Sequence, residues 1–291
     1  MNALDEKIRK SILQFQKNEI TEHNIYKKLS TLEKNLHNAD VLKSISGDEL
    51  RHYTIWKKYT GQEVRPDSFK MFFYVFISKI FGITFGIKLM ESGEENAQDA
   101  YEKVIQVIPE AAKIREEESS HEKELINMID EEKLQYIGSV VLGLNDALVE
   151  LTGTLAGLTF ALQNAKLTGM AGLITGIAAS LSMAASEYLS TKSEGGEKNP
   201  IKASFYTGMA YVMAVSVLIT PYLFLQNYVL CLGLALAGGI TLIFVFTFYF
   251  SVVKEISFKL RFVEMASISL GVAGLSFIIG LAVRRFLGVD I

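Results

Sequence analysis

Five apolar stretches after Tyr136 constrain most strongly what this 291-residue chain can fold into. They run over about 137–163, 168–191, 203–225, 228–250 and 264–283. Each supplies the roughly 20 residues that a helix needs to cross a bilayer. Gly153 and Gly157, and Gly172 and Gly176, recur at four-residue spacing, which suits close helix packing in lipid. Gly238 and Gly239 fit the same use. Charge collects on the other side of this boundary. Residues 1–136 hold 20 Lys/Arg, 24 Asp/Glu and all four histidines, whereas 137–291 hold 9 and 8. The chain therefore divides into a charged first part, 1–132, and an apolar membrane part, 133–291.

The single cysteine, Cys231, excludes an internal disulfide framework and a thiolate metal site. The start, "MNALDEKIRK", has no apolar run after its charges, so no signal peptide is expected. No basic patch interleaved with aromatics points to nucleic acid.

Within the spans the ionisable residues are Asp146, Glu150 and Glu187. Carboxylates in lipid are costly and usually face a pathway or a partner. Asp146 and Glu150 share a helix face, as do Met183 and Glu187 on the next span. Carboxylate oxygen with thioether sulfur suits a transition metal such as Fe2+ better than Ca2+ or Mg2+. A plainer reading puts Asp146 and Glu187 at the membrane interface with Met183 as packing, and the residues alone leave both open. The loops 192–202 and 251–263 carry Lys192, Lys198, Lys202, Lys254, Lys259 and Arg261. The opposite loops carry only Lys166, although Arg284 and Arg285 dissent. The positive-inside rule then places the N-terminal part in the cytoplasm.

The first part reads as helices. Ile8, Ile12, Leu13, Phe15, Ile20, Ile25, Leu29 and Leu32 fall at helical spacing. Further helices are expected over about 37–59, 91–107 and 110–130. Two Glu-x-x-His motifs stand out, Glu49–His52 in "DELRHY" and Glu118–His121 in "EESSHE". At that spacing one helix face offers an oxygen and a nitrogen to the same ion. Ferritin-like di-iron proteins take Glu-x-x-His from two helices and one Glu from each of two more. Here Glu19, seven residues before Tyr26, and Glu94, seven before Tyr101, fill those single places, with Glu95 the rival to Glu94. Glu22 and His23 share the face of Glu19 and are candidates for extra ligands, but the expectation is that they face solvent, and that His37 starts a helix.

The run "KMFFYVFISKIFGITFGIKLM", Lys70–Met90, is nearly long enough to span. A crossing there would put Glu19, Glu49 and His52 on one side and Glu94, Glu118 and His121 on the other. It would also invert the charged loops. The reading is therefore an apolar crossover helix over 68–90 that is not a span. Its aromatics would lie against the membrane surface, the membrane domain or a partner chain.

Two family resemblances follow from these residues. "VLGLNDALVE" and "GIAASLSMAASEYLSTKS" resemble the first two spans of the vacuolar iron transporter family. That resemblance implies Fe2+/H+ antiport by a homodimer, with Asp146 and Met183 lining the iron path and Glu187 matching the motif's glutamate; as carboxylates inside spans, Glu150 and Glu187 are further candidates for the path or for proton coupling. The acidic insert of plant and fungal-type members is replaced by "TKSEGGEKNPIK", whose Glu194 and Glu197 are too few to rebuild it. The first part resembles the rubrerythrin-type branch of ferritin-like proteins, which implies two irons on Glu19, Glu49, His52, Glu94, Glu118 and His121. It has no Cys-x-x-Cys rubredoxin tail. The combination resembles the membrane-bound ferritin, or erythrin–vacuolar iron transporter, proteins.

The expected fold is all-α, a ferritin-like four-helix bundle followed by a five-span membrane domain. The expected function is export of cytosolic Fe2+ in exchange for protons, with a cytoplasmic di-iron domain that captures or senses iron, in a multi-pass protein of a prokaryotic cell membrane. The alternatives are a membrane-tethered ferroxidase or peroxide-reactive enzyme and, third, a Mn2+ exporter.

Overall fold

The computed structural model describes residues 6–91, 104–127, 131–196 and 198–287. Among them the regular elements are all α-helices. The chain forms two compact units, Met1–Asp130 and Glu131–Ile291.

In the first unit α1 (Glu6–Ser30) packs along α2 (Leu36–Thr60), and α2 also meets α5 (Glu110–Asn127). Asn35 starts α2 by accepting the backbone N–H groups of His37 and Asn38, and Gly61 ends it in the left-handed region. His37 thus lies in the first turn of its helix. Two apolar layers fill the unit. One contains Ile12, Phe15, Trp56, Ile108 and Ile114. The other contains Ile25, Leu29, Leu42, Ile45, Ile87 and Leu125. Helices α1, α2 and α5 each contribute to both layers, and between its two contributions each carries acidic or histidine residues. A polar layer therefore lies between two apolar ones.

The apolar run at 70–90 is two helices rather than one, α3 (Ser68–Phe81) and α4 (Ile83–Glu91). The break is Gly82, whose φ of +97° disfavours any other residue. The helices fold against each other so closely that a Cβ at Gly86 would collide with the Ser78 side chain. With 14 residues, α3 is about 21 Å long, short of the roughly 30 Å hydrocarbon core. Asp67 caps α3 and ties it to α1, pairing with Lys17 at 3.0 Å while its backbone N–H donates to Thr21 Oγ1 at 2.9 Å.

The second unit holds five helices long and apolar enough to cross a membrane, over 136–162, 165–194, 200–224, 228–254 and 258–286. They belong to α6 (Glu131–Leu162), α7 (Ala165–Glu194), α8 (Pro200–Phe224), α9 (Tyr228–Lys254) and α10 (Phe258–Leu287). Asn164, Asn199 and Asn227 cap the starts of α7, α8 and α9. The first span, in α6, packs against all four others. The glycine pairs do what their spacing suggested. Gly153 and Gly157 admit Val272 and Ser276 of α10, whereas Gly172 and Gly176 admit Leu155, Ile219 and Val215. Polar contacts add to this packing, with Thr159 bonded to the Tyr222 hydroxyl at 2.7 Å and Ser269 donating to the Leu148 carbonyl at 2.8 Å.

Candidate metal centre

The polar layer of the first unit converges on one point. One oxygen or nitrogen from each of Glu19, Glu49, His52 and Glu118 lies within 4.8 Å of all the others. Glu19, Glu49 and His52 are almost wholly buried. The two Glu-x-x-His motifs face each other from α2 and α5. His52 Nδ1 is 2.9 Å from Glu118 Oε1, 3.4 Å from Glu19 Oε2 and 3.6 Å from Glu49 Oε2. His121 Nδ1 is 3.2 Å from Glu49 Oε1 and 3.7 Å from Glu118 Oε2. Glu49 and Glu118 therefore each turn one oxygen toward each imidazole. Glu19 completes the His52 side. Glu94 and its rival Glu95, expected on the His121 side, lie outside the described residues, as do Tyr101 and most of the helix expected at 91–107.

The donor set fits metal. Among the described residues, Glu49 Oε2 and the Nδ1 atoms of His52 and His121 are buried without a properly directed hydrogen bond. Such atoms are costly unless something satisfies them. Oxygen and imidazole donors together suit Fe2+ or Mn2+.

The outer nitrogens are held by a cross-brace that the sequence reading missed. His52 Nε2 is 2.9 Å from Glu117 Oε2, and His121 Nε2 is 3.3 Å from Asp48 Oδ2. Each motif's preceding acid thus orients the histidine of the other motif. Arg51 spans both, at 2.6 Å from Asp48 and 3.0 Å from Glu117. A proton on Nε2 donated outward leaves the Nδ1 lone pair facing the cluster. The signal was present in "DELRH" and "EESSH", where an acid precedes each Glu-x-x-His. Trp56, the only tryptophan, lies one turn after His52, and its Nε1–H donates to Glu19 Oε1 at 2.9 Å. His23 departs from the solvent-facing expectation. It is half-buried, and its Nδ1 is 2.7 Å from the Ser46 carbonyl, joining α1 to α2. Glu22 is likewise half-buried. Tyr26 is buried in the apolar layer.

Charge in the layer is strongly displaced. Burial, reinforced by the Glu49 and Glu118 carboxylates, holds Glu19 well above the usual carboxyl range. Burial also pushes Glu49 upward, but the adjacent His121 and His52 imidazoles outweigh it and hold Glu49 low. Burial opposes charge on both imidazoles, yet the carboxylates overcome it. Glu118, Glu19 and Glu49 raise His52, and Glu118 and Glu49 push His121 up to about 10. Without metal, protons on imidazole offset the carboxylates.

In the second unit the path candidates separate. Facing pairs across the first two spans, Ser139 with Glu187 and Leu155 with Gly172, set an antiparallel register. That register puts Asp146 level with Ser180 or Leu181, within about 5 Å along the axis of the level of Met183. Asp146 lies ten residues into the candidate span 136–162, near the middle of that helical segment. Asp146 and Met183 are both half-buried. Glu150 is exposed on the surface of the chain and accepts the Tyr211 hydroxyl at 2.9 Å. Glu187 instead sits near the loop end of α7, where Ser139 donates to it at 2.6 Å and Lys198 at 2.9 Å.

A family model described as the VIT family, a family of iron transporters, matches residues 137–196, the first two spans and the loop after them. Asp146, Glu150, Met183 and Glu187 all fall inside the match. Comparison with curated proteins and with solved structures gives no match. The chain thus carries a VIT-type segment within a multi-pass membrane unit.

The charge pattern fixes a pH dependence. His121, raised from 6.5 to about 10, contributes stability that is complete below 6.5 and lost as pH rises through about 10. Glu19, with its proton held by the fold, likewise favours the acid side above 4.5. Glu49 favours the folded state above 4.5 and matters only on stronger acidification. Thermal unfolding of the metal-stripped full chain should therefore show the first unit losing stability as pH rises from about 6.5 toward about 10. With saturating Mn2+ the trend should reverse, because the ligands must shed protons to bind. The cross-brace makes a separate prediction. Glu117→Gln with Asp48→Asn should weaken Mn2+ binding by about 10–100-fold, read by calorimetry, while the helical circular dichroism is retained.

Proposed function

We propose that the protein moves Fe2+ out of the cytosol in exchange for protons and that its first unit, on the cytoplasmic side, captures the iron. The observation that carries this reading is the VIT match across the two spans that hold Asp146 and Met183. The metal-competent layer in the other unit supports it.

In this reading the first unit is a ferritin-like domain, with five of its six expected ligands, Glu19, Glu49, His52, Glu118 and His121, among the described residues. Those residues would hold two irons together with Glu94 or Glu95. When bound, such a pair supplies redox chemistry toward oxygen or peroxide. The chain's own contribution is ligand geometry: buried carboxylates aimed inward, and imidazoles fixed by Glu117 and Asp48. Neutral imidazole and ionised carboxylate take metal, and protonation of the same groups returns it.

In the membrane, Asp146 and Met183 offer oxygen and soft sulfur to a passing Fe2+ at nearly one depth. A mid-membrane carboxylate is costly when charged and unpaired, so Asp146 alternates between holding iron and holding a proton, which couples the two flows. Glu150, exposed inside a span, favours a second copy of the chain covering that face, consistent with a homodimer. Lysine and arginine in the loops after the second and fourth spans favour the cytoplasmic placement of the N-terminus. Glu187, tied to Lys198 and Ser139, closes the loop end of the first three spans rather than lining the middle of the path.

A second reading is a membrane-tethered ferroxidase or peroxide-reactive enzyme. It is favoured by the two opposed imidazoles that Glu49 and Glu118 share. Catalytic peroxide consumption by the purified iron-loaded chain would distinguish it from transport.

Asp146→Ala and Met183→Ala should each abolish Fe2+ flux in proteoliposomes while iron binding by the first unit persists. Wild-type flux in both variants would remove the path assignment.

A further inference from the structure

Helix α3 turns a continuous apolar stripe outward. Phe69, Phe72, Phe73, Phe76 and Ile80 are all exposed, the first two at 76% and 67%. At 100° per residue they occupy an arc of about 100°. The helix already has an inner face, since Met71, Tyr74 and Val75 pack on the apolar layer and Ser78 is buried. The outward stripe is therefore additional to the core. Its rings stack along the helix, Phe69 on Phe73 at 6.4 Å and Phe72 on Phe76 at 5.7 Å between centroids. A patch of this kind marks an interaction surface.

Its chemistry selects the occupant. The arc contains no hydrogen-bonding side chain, and α3 contains no acidic residue. Exposed Lys70 and Lys79 lie on opposite edges of the arc, and exposed Arg65 precedes the helix. An apolar stripe edged by cations matches an apolar interior bordered by anions. That is the signature of a helix lying in a membrane interface. The length of α3 forbids crossing, and the chain that carries it continues into five spans, so a bilayer surface is always at hand.

We propose that α3 is an in-plane membrane helix, with the Phe69–Ile80 stripe in the headgroup–acyl boundary and Lys70 and Lys79 on anionic lipid headgroups. The helix begins at Asp67, which is bonded to Lys17 and Thr21 on either side of Glu19. Docking would thus fix the orientation of the Glu19 side of the metal layer toward the lipid.

The test uses the full chain in nanodiscs of phosphatidylcholine with or without phosphatidylglycerol. On a Cys231→Ala background, a fluorophore is attached after Phe72→Cys or Phe76→Cys, with Lys28→Cys on α1 as the control. A nitroxide placed high on the lipid acyl chain should remove about half or more of the fluorescence at 72 and 76, as insertion of about 5–10 Å requires. It should leave the control nearly unchanged. Phosphatidylglycerol should strengthen the quenching, and Lys70→Glu with Lys79→Glu should cancel that gain. Labels quenched by aqueous iodide as fully as the control would overturn the proposal. So would labels shielded from both quenchers, which would make the stripe an interface between copies of the chain.

Discussion

Three carboxylates and two imidazoles packed into one buried layer dominate the first unit. Glu19, Glu49 and Glu118 repel one another in a low dielectric, and no arrangement of the surrounding apolar side chains relieves that. The layer needs cations at its centre. Protons on His52 and His121 supply the charge in one state, and in the proposed reading metal would supply it in the other. The rest of the unit holds this arrangement in place. Apolar layers lie on either side, Trp56 fixes Glu19, and Asp48, Glu117 and Arg51 fix the histidines from outside. A bundle designed only for stability would fill this layer with leucine, so its polar content argues for a ligand.

The membrane unit applies the same physics more sparingly. Asp146 lies near the middle of its candidate span with Glu150 one turn away, and Met183 is at nearly the same level on the adjacent span. Glycines let α6 approach α7, α8 and α10 closely, and this keeps the first two spans in fixed register. Glu187, by contrast, has a lysine and a serine as partners. Two carboxylates on neighbouring spans thus have different surroundings, and in the proposed reading it is Asp146, not Glu187, that exchanges iron for a proton.

Much of this was legible in the sequence because it repeats or runs long. Five apolar stretches and two Glu-x-x-His motifs need no tertiary knowledge, and the glycine pairs announced their contacts by spacing. What stayed hidden depended on contacts between distant segments. Nothing local says that Glu117 reaches His52, that Asp48 reaches His121, or that Lys198 bends back to Glu187. His23 looked like a solvent residue because its partner, Ser46, belongs to the next helix. The ligand argument kept the run at 70–90 out of the set of expected spans, but its division into α3 and α4, which rests on a single residue, Gly82, was not foreseen.

The most direct test of the account is Fe2+ flux in proteoliposomes carrying Glu49→Ala with His52→Ala, measured across a range of Fe2+ concentrations. If the buried layer loads the membrane path, the concentration of Fe2+ needed for half-maximal flux rises while the maximal rate stays near that of the wild type. Flux identical to wild type at every concentration would show that the metal layer does not serve transport.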